Sequence, residues 1–201
     1  MRIPPVLLGV LTILLGACRE KSNCCEPAPC PTCWQQYGSP FSDVPQTEHI
    51  LLYEMNVWNQ TSTGTLKAAE AHLDSLVALH INTVWLMPIF PQGEVNSVGS
   101  PYCVKDYLGV HPRYGDLEAI RDFVELAHAK GIAVILDWIA NHTAWDHPWV
   151  AEHPDWYSQD GDGQIIIPPG TNWQDVADLN FDADSMRLAM ISALKYWVLE
   201  A

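Results

Sequence analysis

An acid, an amide and an imidazole lie within six residues of one another in this sequence, at Asp137, Asn141 and His142. They follow an unbroken apolar run over 132–136, which is typical of a strand in a parallel sheet with both faces covered. Polar groups that leave such a strand together are placed at the edge of the sheet, where they can orient a ligand. The alternative is structural, because Asp137 and Asn141 could simply fix the following loop through hydrogen bonds to its backbone.

Strands and helices alternate around this segment and must position it. Hydrophobic periodicity predicts strands over 49–57, 82–87 and 132–136, and helices over 65–80, 116–130 and from about 184 onward. In the first helix the apolar stripe runs from Leu66 to His80, and Asp116 is the expected N-cap of the second. The third predicted helix is marked by the apolar residues Met190, Ile191, Leu194, Trp197 and Val198. An irregular excursion is expected over 141–180.

Strand, helix and strand in this order predict an α/β fold, namely the N-terminal portion of a (β/α)8 TIM barrel with its site at the carboxyl ends of the strands. Three strands and three helices are recognisable. Residues 46–201 are too few for a complete barrel, which takes about 250 residues. We therefore expect a truncated barrel whose last strand exposes an unpaired edge.

The N-terminal residues indicate export. Residues 1–17 have the charge, the apolar run and the small residues of a signal peptide, and Cys18 stands where a lipobox cysteine is acylated. An ordinary cleaved signal is the alternative. Residues 18–45 form a Cys- and Pro-rich tether, in which Cys30 and Cys33 have a redox or metal-binding spacing but are more simply part of a linker. Residues 46–201 form the incomplete catalytic barrel, in which Cys103 is expected to be an unpaired packing thiol.

The composition restricts the partners. A formal net charge of −14 repels phosphate backbones and anionic lipid headgroups, so nucleic acid is not expected as a partner. Nine tryptophans on an acidic protein favour a neutral ligand such as a sugar.

Three ordered motifs carry a family resemblance. They are the acid, amide and imidazole segment over 137–142, the stretch 99–116 that contains Tyr102 and Asp106, and the short segment 178–180. In these motifs the sequence resembles the α-amylase family, family 13 of the glycoside hydrolases, over about residues 50–201.

The resemblance implies roles for particular residues. Tyr102 would stack on the sugar next to the scissile bond, and His142 would hydrogen-bond the same sugar. Asp137 and Asp106 would support the rim of the site. Asn141 and Asp178 would supply oxygen ligands to Ca²⁺, as in calcium-dependent members.

The resemblance also places the catalytic carboxylates after strands four, five and seven, so no catalytic residue is expected within this chain. The resemblance implies that the chain is the N-terminal part of an α-glucan hydrolase that acts by a retaining mechanism and is inactive as 201 residues. Together with the N-terminal signal, it implies an exported protein that is lipid-anchored to a bacterial membrane, on the periplasmic side or at the cell surface. Two alternatives remain open: a glucan-binding surface lipoprotein without catalysis, and a glucan transferase or isomerase of the same family.

Two other groups in the excursion have functional and structural interpretations. The aromatic residues could line sugar subsites, although at least half of them are expected to pack a small core; they are Trp145, Trp149, Trp156, Tyr157 and Trp173. Asp160 and Asp162 partly match a calcium loop, but a solvated turn is expected there.

Overall fold

The computed structural model describes residues 35–201, and all structural statements below refer to them. The chain divides into two units, residues 1–33 and 34–201, and the description covers the second. The predicted signal peptide, Cys18 and the cysteines from Cys24 to Cys33 lie outside the described residues. Within the described part, every helix is too short or too polar to cross a membrane.

Three parallel strands form the main sheet in the order β1-β2-β3. Their bounds are Leu52–Met55 for β1, Thr83–Leu86 for β2 and Ala133–Leu136 for β3. Met55 pairs with Leu86, and Leu86 pairs with Leu136, so the three strands end level. Side chains that follow these strands are therefore delivered to one edge of the sheet. This arrangement confirms the predicted parallel α/β fold.

The described residues form six α-helices: α1 Val57–Gln60, α2 Leu66–Ala69, α3 Leu73–Ala78, α4 Leu117–Ala129, α5 Pro148–Glu152 and α6 Asp184–Glu200. Within the excursion, β4 His142–Ala144 and β5 Val176–Asp178 form an antiparallel ribbon. The first strand is shorter than predicted, because the chain turns into α1 at Val57.

The helix predicted over 65–80 forms in pieces. Thr65 caps it by accepting a hydrogen bond from Ala68 N at 3.1 Å, and a 3-10 turn over Glu70–His72 separates α2 from α3. The prediction that His80 lies on the buried stripe is wrong. His80 lies beyond the helix and is exposed, with a φ of 61°. This left-handed conformation, which usually favours glycine, turns the chain from α3 toward β2.

The two long helices pack through narrow stripes. Asp116 caps α4 as predicted, accepting a hydrogen bond from Ala119 N at 2.9 Å. Helix α6 buries four side chains, which are Met186, Met190, Ala193 and Trp197. The third helix that the apolar residues indicated is confirmed, and three of those residues, Ile191, Leu194 and Val198, are exposed. Leu194 and Val198 line a cavity that Phe41 and Ile135 also line.

Strand β3 is an edge of the described sheet. Ile135 in its centre is 45% exposed, so the prediction that the strand is covered on both faces is wrong at this position. The physical reason is that Ile135 lines an open cavity, together with Leu194 and Val198 of α6, and is not covered by a packed element. Strand β3 also pairs only with β2 among the described strands, which leaves its other edge open. This open edge is the one that the sequence predicted for a partial barrel.

Residues that we assigned to the tether contact the folded domain. Tyr37 N donates to Leu199 O at 2.6 Å, and the Arg121 guanidinium lies 4.1 Å from the centre of the Tyr37 ring. The Phe41 ring stacks on His128 at 4.4 Å between centroids. The segment over 37–41 therefore packs against α4 and the end of α6.

Candidate functional site

A cleft of about 500 Å³ opens at the carboxyl ends of the parallel strands. The residues after β3 form one wall of the cleft, and the long loop between β2 and α4 contributes Tyr102. The cleft brings together four of the residues predicted at the site, Tyr102, Asp137, Asn141 and His142, and adds Trp173 and Asp175 from the end of the excursion.

Tyr102 lies at the mouth of this cleft. Its hydroxyl donates to Asp137 Oδ2 at 3.1 Å, and its side chain remains 36% exposed. Partial burial, followed by the negative charge of Asp137, raises the pKa of Tyr102. The phenol therefore stays protonated at neutral pH, and its contact with Asp137 holds the ring in place. This contact agrees with the expectation that Asp137 supports the rim of the site.

His142 begins β4 and is only 6% exposed. Its Nε2 lies 3.1 Å from the carbonyl oxygen of Tyr102, an acceptor, so Nε2 carries the proton in this contact. Burial lowers the pKa of His142, and the ring is neutral at neutral pH. Its Nδ1 is then a buried acceptor that has no partner among the described residues. A sugar hydroxyl bound here must share Nε2–H with Tyr102, or the ring must turn to present Nδ1.

Tyr107 supports this segment from beneath, and sequence reasoning assigned it no role. Its buried hydroxyl lies 2.8 Å from Ile139 O and 3.1 Å from His142 O. Its ring stacks on Trp138 at 5.1 Å between centroids. One side chain thus fixes the backbone on both sides of Asn141. The only sequence signal was its position in the motif that contains Tyr102.

Lys105 and Asp146 fasten the Tyr102 loop to the end of β4, and sequence reasoning missed this pair. Lys105 Nζ lies 3.0 Å from Asp146 Oδ2, and Glu94 N donates to the same oxygen at 3.1 Å. Burial alone would raise the pKa of Asp146, but the hydrogen bonds from Lys105 and Glu94 hold it below its usual range. The backbone of Val104 also accepts from Ala144 N at 2.8 Å. The loop is therefore held at its base while Tyr102 reaches the cleft.

Asp106 is placed away from this cleft. Its Oδ1 accepts a hydrogen bond from Leu108 N at 2.8 Å, and the side chain lines a separate cavity beside His147 and Tyr196. In this position Asp106 stabilises the turn after Lys105, and it does not reach Asp137 through any hydrogen bond of the described residues.

The expected calcium ligands are neighbours but do not complete a site. Asp178 pairs with His142 across the β4–β5 ribbon, and Asn141 O accepts from Leu179 N at 3.0 Å. Ca²⁺ takes six to eight oxygen ligands. Within residues 35–201, no group of three or more His, Cys, Asp and Glu side chains is arranged to hold a metal ion.

Most of the remaining polar and aromatic groups of the excursion make structural contacts. Asp160 Oδ1 accepts from the backbone N–H groups of Asp162 and Gln164 at 3.0 and 2.9 Å, which is the expected turn. Most of the aromatic cluster packs internally or anchors backbone, and only Trp173 lines the cleft. Cys103 is a free buried thiol, as expected, and its Sγ contacts Asp175 O at 3.1 Å.

Comparison with known proteins agrees with this geometry. The model of the alpha-amylase catalytic domain matches residues 41–164. An alpha-1,4-glucan:maltose-1-phosphate maltosyltransferase of Rhodospirillum rubrum is 33% identical over 80% of this chain and 27% of its own. Alpha-amylase 3 of Dictyoglomus thermophilum is 31% identical over 67% of this chain and 30% of its own.

Solved structures resemble the described fold. An alpha-amylase from Lactobacillus plantarum superposes with a TM-score of 0.71 at 37% identity, covering 74% of this chain and 36% of that one. An alpha-amylase from Geobacillus thermoleovorans, complexed with acarbose, has a TM-score of 0.63 at 26% identity, covering 76% and 38%. The chain thus spans about a third of the length of these proteins, and its fold is a partial TIM barrel.

This chain belongs to the alpha-amylase catalytic domain family, as the matched family model and these relatives demonstrate. Its members include the amylase and maltosyltransferase relatives named above.

Proposed function

We propose that this chain supplies one wall of the substrate site of an exported α-glucan hydrolase. The observation that supports this proposal is a pair of 3.1 Å hydrogen bonds at the carboxyl end of the sheet. One runs from the Tyr102 hydroxyl to Asp137 Oδ2, and the other runs from His142 Nε2 to the Tyr102 carbonyl oxygen. An aromatic face, a neutral imidazole and a carboxylate in one cleft suit a neutral sugar, whose C–H groups cover the ring and whose hydroxyls bond the polar atoms.

In this proposal each group has one task. The Tyr102 ring stacks on the sugar next to the scissile bond, and Asp137 keeps that ring in place through the tyrosine hydroxyl. His142 bonds a sugar hydroxyl by sharing its Nε2 proton with Tyr102 O or by turning to present Nδ1, while burial keeps the imidazole neutral. The residues in hand bind and orient the sugar, and they do not break the bond.

Bond cleavage requires a nucleophilic carboxylate and an acid/base carboxylate about 5–5.5 Å apart in a retaining enzyme. We propose that later strands of the complete barrel supply both. The first test measures release of reducing ends from starch by two purified proteins, the 201-residue chain and a second protein in which the remaining strands of an alpha-amylase barrel follow this chain. We expect release only from the second protein. A clear rise in reducing ends with the 201-residue chain alone would contradict the proposal that these residues bind the sugar and later strands cleave it.

The second test examines the binding wall in the longer protein. Tyr102→Ala and His142→Ala should each lower kcat/KM on maltooligosaccharides by about tenfold or more, which corresponds to about 1.4 kcal/mol of transition-state binding. Phe181→Ala and His49→Ala are matched controls, because both side chains are exposed and lie outside the cleft. Equal activity of all four variants would refute the assignment.

A glucan transferase is the second candidate, and the 33% identity to the Rhodospirillum rubrum maltosyltransferase favours it. The two activities differ in their products. With maltose 1-phosphate and a glucan acceptor, a transferase lengthens the glucan and releases phosphate without a matching rise in reducing ends. A hydrolase raises the number of reducing ends from starch alone.

We propose two further properties from the sequence. Acylated Cys18 would anchor the protein to a bacterial membrane, so Cys18→Ala should move it from the detergent phase to the aqueous phase in detergent partitioning. Calcium would bind at Asn141 and Asp178 if further oxygen ligands complete the site. A chelator should then lower the melting temperature of the complete protein, and an unchanged melting temperature would contradict calcium binding.

A further inference from the structure

A second cavity, of about 400 Å³, lies outside the cleft, and residues of α5, of α6 and of the turn over 106–108 line it. Among the described residues, none lines both the cleft and this cavity. Where α6 forms the wall, Ala189 and Ala193 have small side chains that leave the space open. The tasks given to Tyr102, Asp137 and His142 above leave this cavity without a role.

Two aromatic rings line this cavity from different helices. Trp149 comes from α5 and Tyr196 from α6, and both side chains are partly buried. The Trp149 ring contacts the rings of His147 and Trp156, at 4.6 and 5.1 Å between centroids, so it is held before any ligand arrives. Tyr196 meets Trp197 at 88°, and such a contact covers at most one face of the Tyr196 ring. Fixed, partly open aromatic rings suit the C–H groups of a sugar.

His147 offers a hydrogen-bond donor to the same cavity. Its Nδ1 accepts from Trp149 N at 3.1 Å, and burial lowers the pKa of His147 to about 4, so the neutral ring carries its proton on Nε2. The side chain is only 5% exposed, and its Nε2–H has no hydrogen-bond partner within residues 35–201. Because a buried donor without a partner is unfavourable, a ligand that accepts this proton gains affinity.

Two carboxylates restrict the ligand class. Asp106 and Glu152 are exposed residues that line the cavity, and their charge repels an anionic ligand. An ammonium group would pair with them, but it has no lone pair to accept the proton of His147 Nε2. A neutral ring with several hydroxyl groups satisfies all three side chains, because a hydroxyl both accepts and donates hydrogen bonds.

We propose that this cavity is a second sugar site, which binds a neutral pyranose ring against Trp149 and Tyr196 independently of the cleft. Hydroxyl groups of the sugar accept from His147 Nε2–H and donate to Asp106 and Glu152. The inference does not rest on the proposed function, because it uses no residue of the cleft. It gives the protein a place to hold a sugar chain away from the Tyr102 cleft.

The experiment is an NMR titration of the ¹⁵N-labelled 201-residue chain with maltotriose, since this chain contains every residue of the cavity. The indole N–H signal of Trp149 reports on the cavity, and that of Trp173 reports on the cleft. Tyr196→Ala should weaken the binding that Trp149 reports about tenfold, a loss typical of one aromatic contact, and leave the Trp173 titration unchanged. Tyr196→Phe, which keeps an aromatic face, should retain most of the affinity.

Glu152→Gln tests the site through an exposed side chain that the fold does not need, and it should weaken the same binding by about threefold or more. Phe181→Ala, the control for loss of an exposed aromatic side chain elsewhere, should change neither titration. Glucuronate, an anionic pyranose, should leave the Trp149 signal in place. A shift as large as that with maltotriose would overturn the assigned ligand class.

Tyr102→Ala separates this inference from the proposed function. It should weaken the binding that Trp173 reports and leave the Trp149 titration unchanged. An unchanged Trp173 titration would count against the proposed function and leave the second site standing. The second site is refuted if Trp149 does not respond to maltotriose in the native chain, or if Tyr196→Ala and Glu152→Gln leave its titration unchanged. Loss of both titrations in Tyr102→Ala also refutes it, because the two signals would then report one site.

Discussion

Replacement of Tyr107 by phenylalanine removes one hydroxyl from beneath the site and keeps the ring. The hydroxyl has one proton and lies within hydrogen-bonding distance of two buried acceptors, Ile139 O at 2.8 Å and His142 O at 3.1 Å. In the variant, water cannot easily replace it, because Tyr107 is 2% exposed. A buried polar group that loses its hydrogen bond costs about 1–3 kcal/mol. We therefore expect Tyr107→Phe to lower the free energy of unfolding by about 2 kcal/mol.

Urea denaturation of the complete protein checks this expectation, with a lower midpoint and an unchanged slope. Tyr53→Phe is the matched control, since the Tyr53 hydroxyl is only partly buried and makes a 3.2 Å contact with Gln60 Oε1. This control should lose less than about 0.5 kcal/mol. Equal midpoints for Tyr107→Phe and the control would refute the claim that Tyr107 holds the segment that carries His142.

Three further predictions concern single residues. His80→Gly should stabilise the protein by about 0.5 kcal/mol. His80 has a φ of 61°, and glycine removes the steric cost of this left-handed conformation, about 1–2 kcal/mol, although the greater flexibility of glycine in the unfolded chain offsets part of the gain. A lower melting temperature of the variant would contradict this prediction. Burial lowers the pKa of His147 to about 4, so between about pH 6.5 and pH 4 the unfolded state binds the extra proton. Stability should fall as the pH drops through this window, by on the order of 1 kcal/mol per pH unit, and His147→Gln should show a shallower fall; parallel curves would exclude His147 as the cause. Burial also raises the pKa of Cys103 to about 11, so iodoacetamide should leave Cys103 unmodified in peptide maps of the folded protein and alkylate it in urea.

Much of the central sheet could be predicted from the sequence, because local patterns determine it. The apolar run over 132–136 contains β3, and Asp116 caps α4 as its residue type predicts. The polar segment after β3 reaches the cleft because parallel strands end at one edge of a sheet. The cleft thus brings Tyr102, Asp137 and His142 together as the motifs indicated.

The parts that could not be predicted depend on contacts between residues distant in sequence. The β4–β5 ribbon joins segments more than 30 residues apart, and each strand has only three residues, too few for a periodic signal. The Lys105–Asp146 ion pair and the Tyr107 hydroxyl act on partners that no local pattern identifies. The exposed side of α6 could not be distinguished from its buried side, because apolar residues occupy both.

The most direct test of the account is a crystal structure of the complete gene product with acarbose bound. The account predicts one sugar-like ring stacked on Tyr102 and hydrogen-bonded to His142. Clear density for acarbose elsewhere on the protein, with the Tyr102 cleft empty, would contradict the central claim that this cleft binds the α-glucan.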